Sequence, residues 1–193
     1  MTEQRQIKAY GFVGTLEFIE KHYDAAARQR ILDGLMPETR RLMETVKKAQ
    51  WAPPLATTEL WAGIVRESGD LESGREALVR GGRYVGNFAT NTYLKLLMKM
   101  LTVNMFAKKF PDIWARDANF GKVTVDASQT DKGRLMVRFQ ELGTYPYFGP
   151  SCQGWLSFSL ETMGLKNVKC ELEGWSMQNP DPGELVYRIT WTK

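Results

Sequence analysis

The hydrophobic period of this chain changes from that of helices to that of strands about two thirds of the way along, and that switch sets the fold class. Up to Phe110 the apolar residues recur at three and four, the spacing of a buried helix face. After Asn119 they recur at two, the spacing of a strand with one buried side. Helices first and strands last imply an α+β domain, with N-terminal helices packed on one side of a four-stranded antiparallel sheet formed by the C-terminal third.

The helical part divides at recognisable signals. Residues 15–23 carry Leu16, Ile19 and Tyr23 on one face. Asp24 is placed to cap a second helix whose buried face holds Ile31, Leu32 and Leu35. Pro37 suits the first turn of a third, with Leu42, Met43 and Val46. Thr57 or Thr58 is read as opening a fourth, through Leu60, Trp61, Ile64 and Val65 to Gly69. Ser73 and Glu76 have capping-box spacing ahead of Ala77, Leu78, Tyr84, Val85 and Phe88. Residues 93–110 form the most apolar helix, with Leu94, Leu97, Met98, Leu101 and Met105 down one face. Leu96, Met100 and Val103 widen that stripe, so cover on nearly all sides is expected. Pro111 is expected to end or bend it.

The stranded part reads as two hairpins around a helix. Val123, Val125 and Ala127 alternate with polar residues; after the turn at Asp131-Lys132-Gly133, so do Leu135, Val137 and Phe139. An aromatic loop over residues 145–150 precedes a short helix with Trp155, Phe158 and Leu160, ending at Gly164. Val168, Cys170 and Leu172 then alternate with Lys169, Glu171 and Glu173. A turn over residues 179–183 leads to Leu185, Tyr187, Ile189 and Trp191. With no internal repeat or linker, residues 1–193 are read as one domain.

Composition and charge exclude whole classes. A chain that is 43% hydrophobic and 11% aromatic is a folded domain, not a disordered segment. Lys and Arg total 26 against 22 Asp and Glu, and the net +4 is scattered rather than gathered into a basic run. Nucleic acid is therefore not expected as a partner. Cys152 and Cys170 are read as buried thiols in a reducing compartment rather than as a disulfide. The first residues lack an apolar signal-peptide core. The longest apolar stretch, residues 93–107, is interrupted by Lys95, Lys99 and Asn104, so no membrane span is expected. The setting is read as cytoplasmic.

Catalytic and metal chemistry find few residues to work with. A structural zinc site takes four ligands, usually Cys and His at short spacings. This chain has one histidine, His22, and two cysteines, none so spaced. Any Ser–His or Cys–His nucleophile would have to use His22, and Ser151-Cys152-Gln153-Gly154 is no nucleophile elbow. No enzyme activity and no metal are expected. The run Arg80-Gly-Gly-Arg-Tyr-Val-Gly86 has two readings. Arg80 and Arg83 with the glycines would make an anion cradle; alternatively, the glycines let two helices approach closely while the arginines face solvent. The second is preferred, because the run matches no phosphate-binding fingerprint and no strand precedes it. Glu171 and Glu173 fall on the outer face of a strand as solvated charges. What remains is apolar: nine Met, with Met98, Met100 and Met105 on the central helix.

Gly154 with Trp155, Val168-Lys-Cys170, Gly174 and the closing Val186-Tyr-Arg-Ile-Thr-Trp191 resemble the C-terminal hairpin of 4-vinyl reductase domains. That fold is shared with haem-NO-binding sensors and small core subunits of TRAPP tethering complexes. Phe12 through Glu59-Leu-Trp61, the helix from Glu76 to Val85 and the loop at Tyr145-Pro are similar to a myxobacterial paralogous family related to them. The resemblance implies an enclosed cavity between helices and sheet, and a sensing or scaffolding role. Haem-NO-binding domains use an axial histidine and a Tyr-x-Ser-x-Arg motif, and 4-vinyl reductase domains use several C-terminal cysteines. This chain has no mid-chain histidine, carries Tyr145-Pro-Tyr-Phe-Gly instead, and keeps only Cys170, with no cysteine near Glu184. No cofactor is expected. The leading expectation is a non-catalytic bacterial sensor domain for a small apolar or amphipathic molecule, lined by Leu97, Met98, Leu101, Met105, Phe139 and Trp155. The alternative is a protein-interaction or assembly module, homodimeric or bound to a protein partner, with a filled core.

Overall fold

The computed structural model describes residues 4–90, 92–143, 145–179 and 183–192, and for 92–94 the backbone alone. The helices come first: α1 (Tyr10–His22), α2 (Ala25–Asp33), α3 (Pro37–Thr45), α4 (Pro54–Glu67), α5 (Leu71–Ala89), α6 (Thr92–Met100) and α7 (Val103–Asp117). Two short strands, β1 (Ile7–Lys8) and β2 (Trp51–Ala52), pair antiparallel and tie the start of α1 to the start of α4. Strands β3 (Lys122–Asp126) and β4 (Arg134–Gln140) follow, then α8 (Phe148–Thr162), β5 (Lys166–Glu173) and β6 (Glu184–Thr192).

The four C-terminal strands form one antiparallel sheet in the order β3-β4-β6-β5. Register places Val137 beside Val125 and Tyr187, and Leu135 beside Ile189. Val137, Tyr187, Leu135 and Ile189, with Phe139 and Leu185, are buried and Val125 is partly so, whereas Arg138 and Arg188 face out and pair with Glu184 and Glu173. One buried face and one charged face are what the alternation anticipated. The turn over residues 180–182 lies outside the described residues.

Helix α8 bridges the two halves, packing on α5 on one side and on β5 on the other. The approach to α5 depends on glycine. A Cβ at Gly82 would lie 1.8 Å from the Ser151 carbonyl oxygen, and one at Gly154 would lie 2.0 Å from that of Val79. The two backbones therefore touch, and only a residue without a Cβ allows it. This is the role of the Arg80–Gly86 run.

Several boundaries differ from the sequence expectation, each for a local reason. Helix α4 begins at Pro54 rather than at Thr57 or Thr58, since proline suits the first helical position and loses no needed donor there. Helix α5 begins one turn early, because Asp70 accepts from the Ser73 amide at 2.9 Å and caps it instead of Ser73. Helix α8 is longer than expected: it starts inside the aromatic loop, at Phe148, after Tyr147 takes a left-handed backbone, φ 66°. The helix expected over 93–110 is two. It breaks at Leu101, and Thr102 accepts from the Met105 amide at 3.2 Å to start α7. Nor does Pro111 end α7. The lost donor is one bond, while Phe110 stacks on Phe106 (5.2 Å between centroids) and Trp114 meets Phe139 edge-on (5.1 Å), holding both sides of the proline. The expected all-round cover fails as well, since Leu96, Leu97, Met100 and Met105 are exposed. Among the described residues no helix is long and apolar enough to cross a membrane.

Candidate functional site

The largest aromatic cluster of the chain surrounds a cavity where α7 and α8 meet β4. From α7 come Phe110 and Trp114, from β4 Phe139, and from α8 Phe148 and Trp155. Tyr145 and Trp61 close a second side, with Tyr145 stacked on Phe148 at 4.9 Å and Trp61 5.4 Å from Tyr145. Phe110 stacks on Trp155 at 5.5 Å and meets Phe139 edge-on at 5.9 Å. Each such pair contributes about 0.5–1.5 kcal/mol beyond its buried area, so the walls are held in place. The space is about 80 Å3 and partly open, and Lys8, Tyr10, Thr57, Asp117, Ser151 and Cys152 are among its few polar neighbours.

A second, more open groove of about 470 Å3 adjoins it. The two share Lys8, Tyr10, Ile113, Asp117 and Trp155. Beyond that boundary the groove runs along Met98, Leu101 and Phe106, with Lys48 and Arg116 at its edge. Asp117 is buried, and the exposed Arg116 holds its carboxylate through two bonds of 2.8 Å. Burial first, and then the Asp117 charge, push the Tyr10 phenol well above its ordinary range, so it stands as a neutral hydroxyl at the boundary.

The residues expected to line a ligand site are divided by the structure. Phe139 and Trp155 line the inner cavity, and Met98, Leu101 and Trp155 the outer groove. Leu97, 40% exposed, and Met105, 50% exposed, line neither. They correct the expectation of one straight helix, because the break at Leu101 turns Leu97 and Met105 outward. Sequence reasoning misses Ile113, Trp114 and Asp117, because Pro111 reads as a stop. Their signal is present all the same: Phe110, Trp114 and Asp117 are spaced four and three apart, one face of a continuing helix.

Arg80, Arg83, His22 and the two cysteines are paired or buried. Arg83 pairs with both carboxylate oxygens of Glu161, and Arg80 lies 3.8 Å from Glu76, so the anion cradle is corrected to two surface ion pairs. His22 ends α1, its Nδ1 2.9 Å from the Phe18 carbonyl and its ring stacked on Phe18. Cys152 and Cys170 are free and buried. Burial raises both thiols, Cys170 to about 12 and Cys152 further, so neither is a thiolate at neutral pH. Among the described residues no three His, Cys, Asp or Glu side chains gather to hold a metal ion.

No protein-family model and no curated protein matches the chain. Solved structures do match, and over nearly all of it. A mutant of the Fe(II) unliganded H-NOX protein from K. algicida superposes with a TM-score of 0.72 at 13% identity, covering 97% of each chain. An H-NOX protein from S. oneidensis in the Fe(II)NO ligation state gives 0.70 at 8%, covering 97% of this chain and 100% of that one. An oxygen-binding H-NOX domain related to soluble guanylate cyclases, as its oxygen complex, gives 0.63 at 10%, covering 97% and 96%. The fold is therefore that of H-NOX domains, as the resemblance implied.

That fold raises the question of haem, whose iron takes an axial His, Cys, Met or Tyr. His22 lines neither space, and Met98 lines only the outer groove. Tyr10, Tyr145 and Cys152 line the inner cavity, but Tyr145 is stacked on Phe148 and the space beside all three is small. The 80 Å3 space lies far below the roughly 300–1,000 Å3 of pockets for larger ligands. A macrocycle there would have to displace the stacked Phe110 and Trp155. The residues present do not fit a haem.

Proposed function

We propose that this chain, acting as one domain of an H-NOX-like fold, is a non-catalytic sensor in bacterial signalling. It takes a small apolar or amphipathic molecule directly into its aromatic cavity, without haem, in the cytoplasm. The observation that carries this reading is the cavity itself, a space rimmed by stacked rings and opening toward a groove, with no activated nucleophile or base beside it. Fold alone does not assign a role, so the weight rests on these residues. Native mass spectrometry of protein expressed with a haem precursor tests it. The expected result is a discrete low-mass adduct, native or after adding small apolar compounds, and no Soret absorption. Stoichiometric haem, or an interior that takes up nothing, would overturn it.

One observation favours a second reading, that of an assembly module. Leu96, Leu97 and Met100 on α6 and Met105 on α7 form an exposed apolar strip, of the kind that marks contact surfaces. Light scattering across a concentration series separates the two readings: a strict monomer at high concentration removes homodimerisation through this strip.

A further inference from the structure

To the Lys8 it shares with the cavity the groove adds a second ammonium, Lys48, and that polarity selects a class of ligand. One wall is continuous apolar surface: Met98, Leu101, Phe106, Ile113 and Trp155. At its edge stand two ammonium groups, Lys8 on β1 and Lys48 in the loop before β2. Neither is paired with a carboxylate among the described residues. Lys8 Nζ donates to the Ala49 carbonyl at 3.1 Å and lies 4.1 Å from the Trp51 ring. Lys48 Nζ lies 3.5 Å from the Phe88 ring. A ring face and a carbonyl leave N–H donors of each ammonium free, since each carries three. The acid of the groove, Asp117, is already held by Arg116 in a two-bond pair and leaves little free negative charge there. The edge is therefore a site of net positive charge beside an apolar trough, and the trough joins the inner cavity through Tyr10, Ile113 and Trp155.

Resting on the sensor reading above, we infer that the ligand is a monocarboxylate with an unbranched acyl tail. Its head group sits between Lys8 and Lys48, and its tail lies in the groove along Met98 and Leu101. Charge complementarity decides among occupants of this shape. A neutral alkane would leave both ammonium groups without an anion, and a cationic amphiphile would meet them as like charges. The groove volume of about 470 Å3 falls within the range of small-molecule sites, so it has room for one such molecule.

Calorimetric titration of the intact chain with dodecanoate and, separately, dodecanol tests the assignment, with the Lys8→Gln/Lys48→Gln double variant beside the unaltered protein. Two half-exposed charge contacts amount to about tenfold in affinity. Dodecanoate should therefore bind about tenfold tighter than dodecanol, and the double variant should lose that difference while still binding dodecanol. Equal affinities in the unaltered protein would overturn the head-group assignment and leave the sensor reading standing. If neither compound binds but benzene or indole does, the tail assignment falls and a small apolar ligand remains. If nothing binds, both fall. Vesicles of anionic phospholipid form a last arm. Capture of the protein by vesicles without binding of free dodecanoate would place the two lysines on a membrane surface and overturn the inference.

Discussion

Gly82 and Gly154 set how closely α8 lies on α5. A methyl group at either position would overlap a backbone carbonyl of the other helix, and backbone cannot rotate away. Gly82→Ala and Gly154→Ala should each cost about 3 kcal/mol or more, read by denaturant unfolding. Gly11→Ala is the contrast: nothing lies within 4 Å of its Cβ, so it should be neutral or stabilise by up to about 1 kcal/mol through helix propensity. Buried acids give a second residue-scale prediction. The Cys170 thiol rises from 9.0 to about 12, and Cys152, Tyr10, Tyr145 and Tyr187 are also raised, each chiefly by burial. A group whose folded-state value is raised contributes its stability fully below the unfolded value and loses it as pH climbs toward the folded one. Stability should hold up to about pH 9 and then fall by about 1.4 kcal/mol per pH unit for each group involved. Cys170→Ala should flatten the slope of melting temperature between pH 9 and 11, and an unchanged slope would refute the assignment. The glycine run was readable in the sequence as a close helix contact. Its partner residues on α8, Ser151 and Gly154, were not, because nothing local in a sequence says which helix a glycine faces.

Between elements, α6 is weakly held. It packs chiefly on α8, and Leu96, Leu97 and Met100 face solvent. Few buried contacts mean local opening at low free energy. Hydrogen exchange of α6 amides should therefore run orders of magnitude faster than exchange in α5 or α8; equal protection would show that α6 is buried by a partner or a second copy. The strands and their inward residues were readable because alternation, turn residues and burial all agree there, as at Val137, Phe139, Tyr187 and Ile189. The helix boundaries were less so. Apolar residues through 93–110 suit one continuous helix as well as two, and the break at Leu101 is decided by the Thr102 cap. Pro111 misled in the other direction, because stacking of Phe110 and Trp114 outweighs one lost backbone bond. Those two errors account for both the misplaced Leu97 and Met105 and the missed Ile113, Trp114 and Asp117.

At the scale of the molecule, an H-NOX-like fold encloses a space that its own rings have nearly filled. What remains is about 80 Å3, walled by Phe110, Trp114, Phe139, Phe148 and Trp155 and opening toward the Lys8 and Lys48 edge. The architecture and two of the lining residues, Phe139 and Trp155, were readable from sequence. The cavity as a whole was not, since its walls come from five stretches far apart in the chain, brought together only by packing. Diffraction from crystals pressurised with xenon tests most directly whether this cage admits a guest. One well-occupied xenon atom is expected inside it, in contact with Phe110, Trp114, Phe139 and Phe148. Xenon found only at the surface, or a cage that excludes it, would contradict a ligand-binding interior.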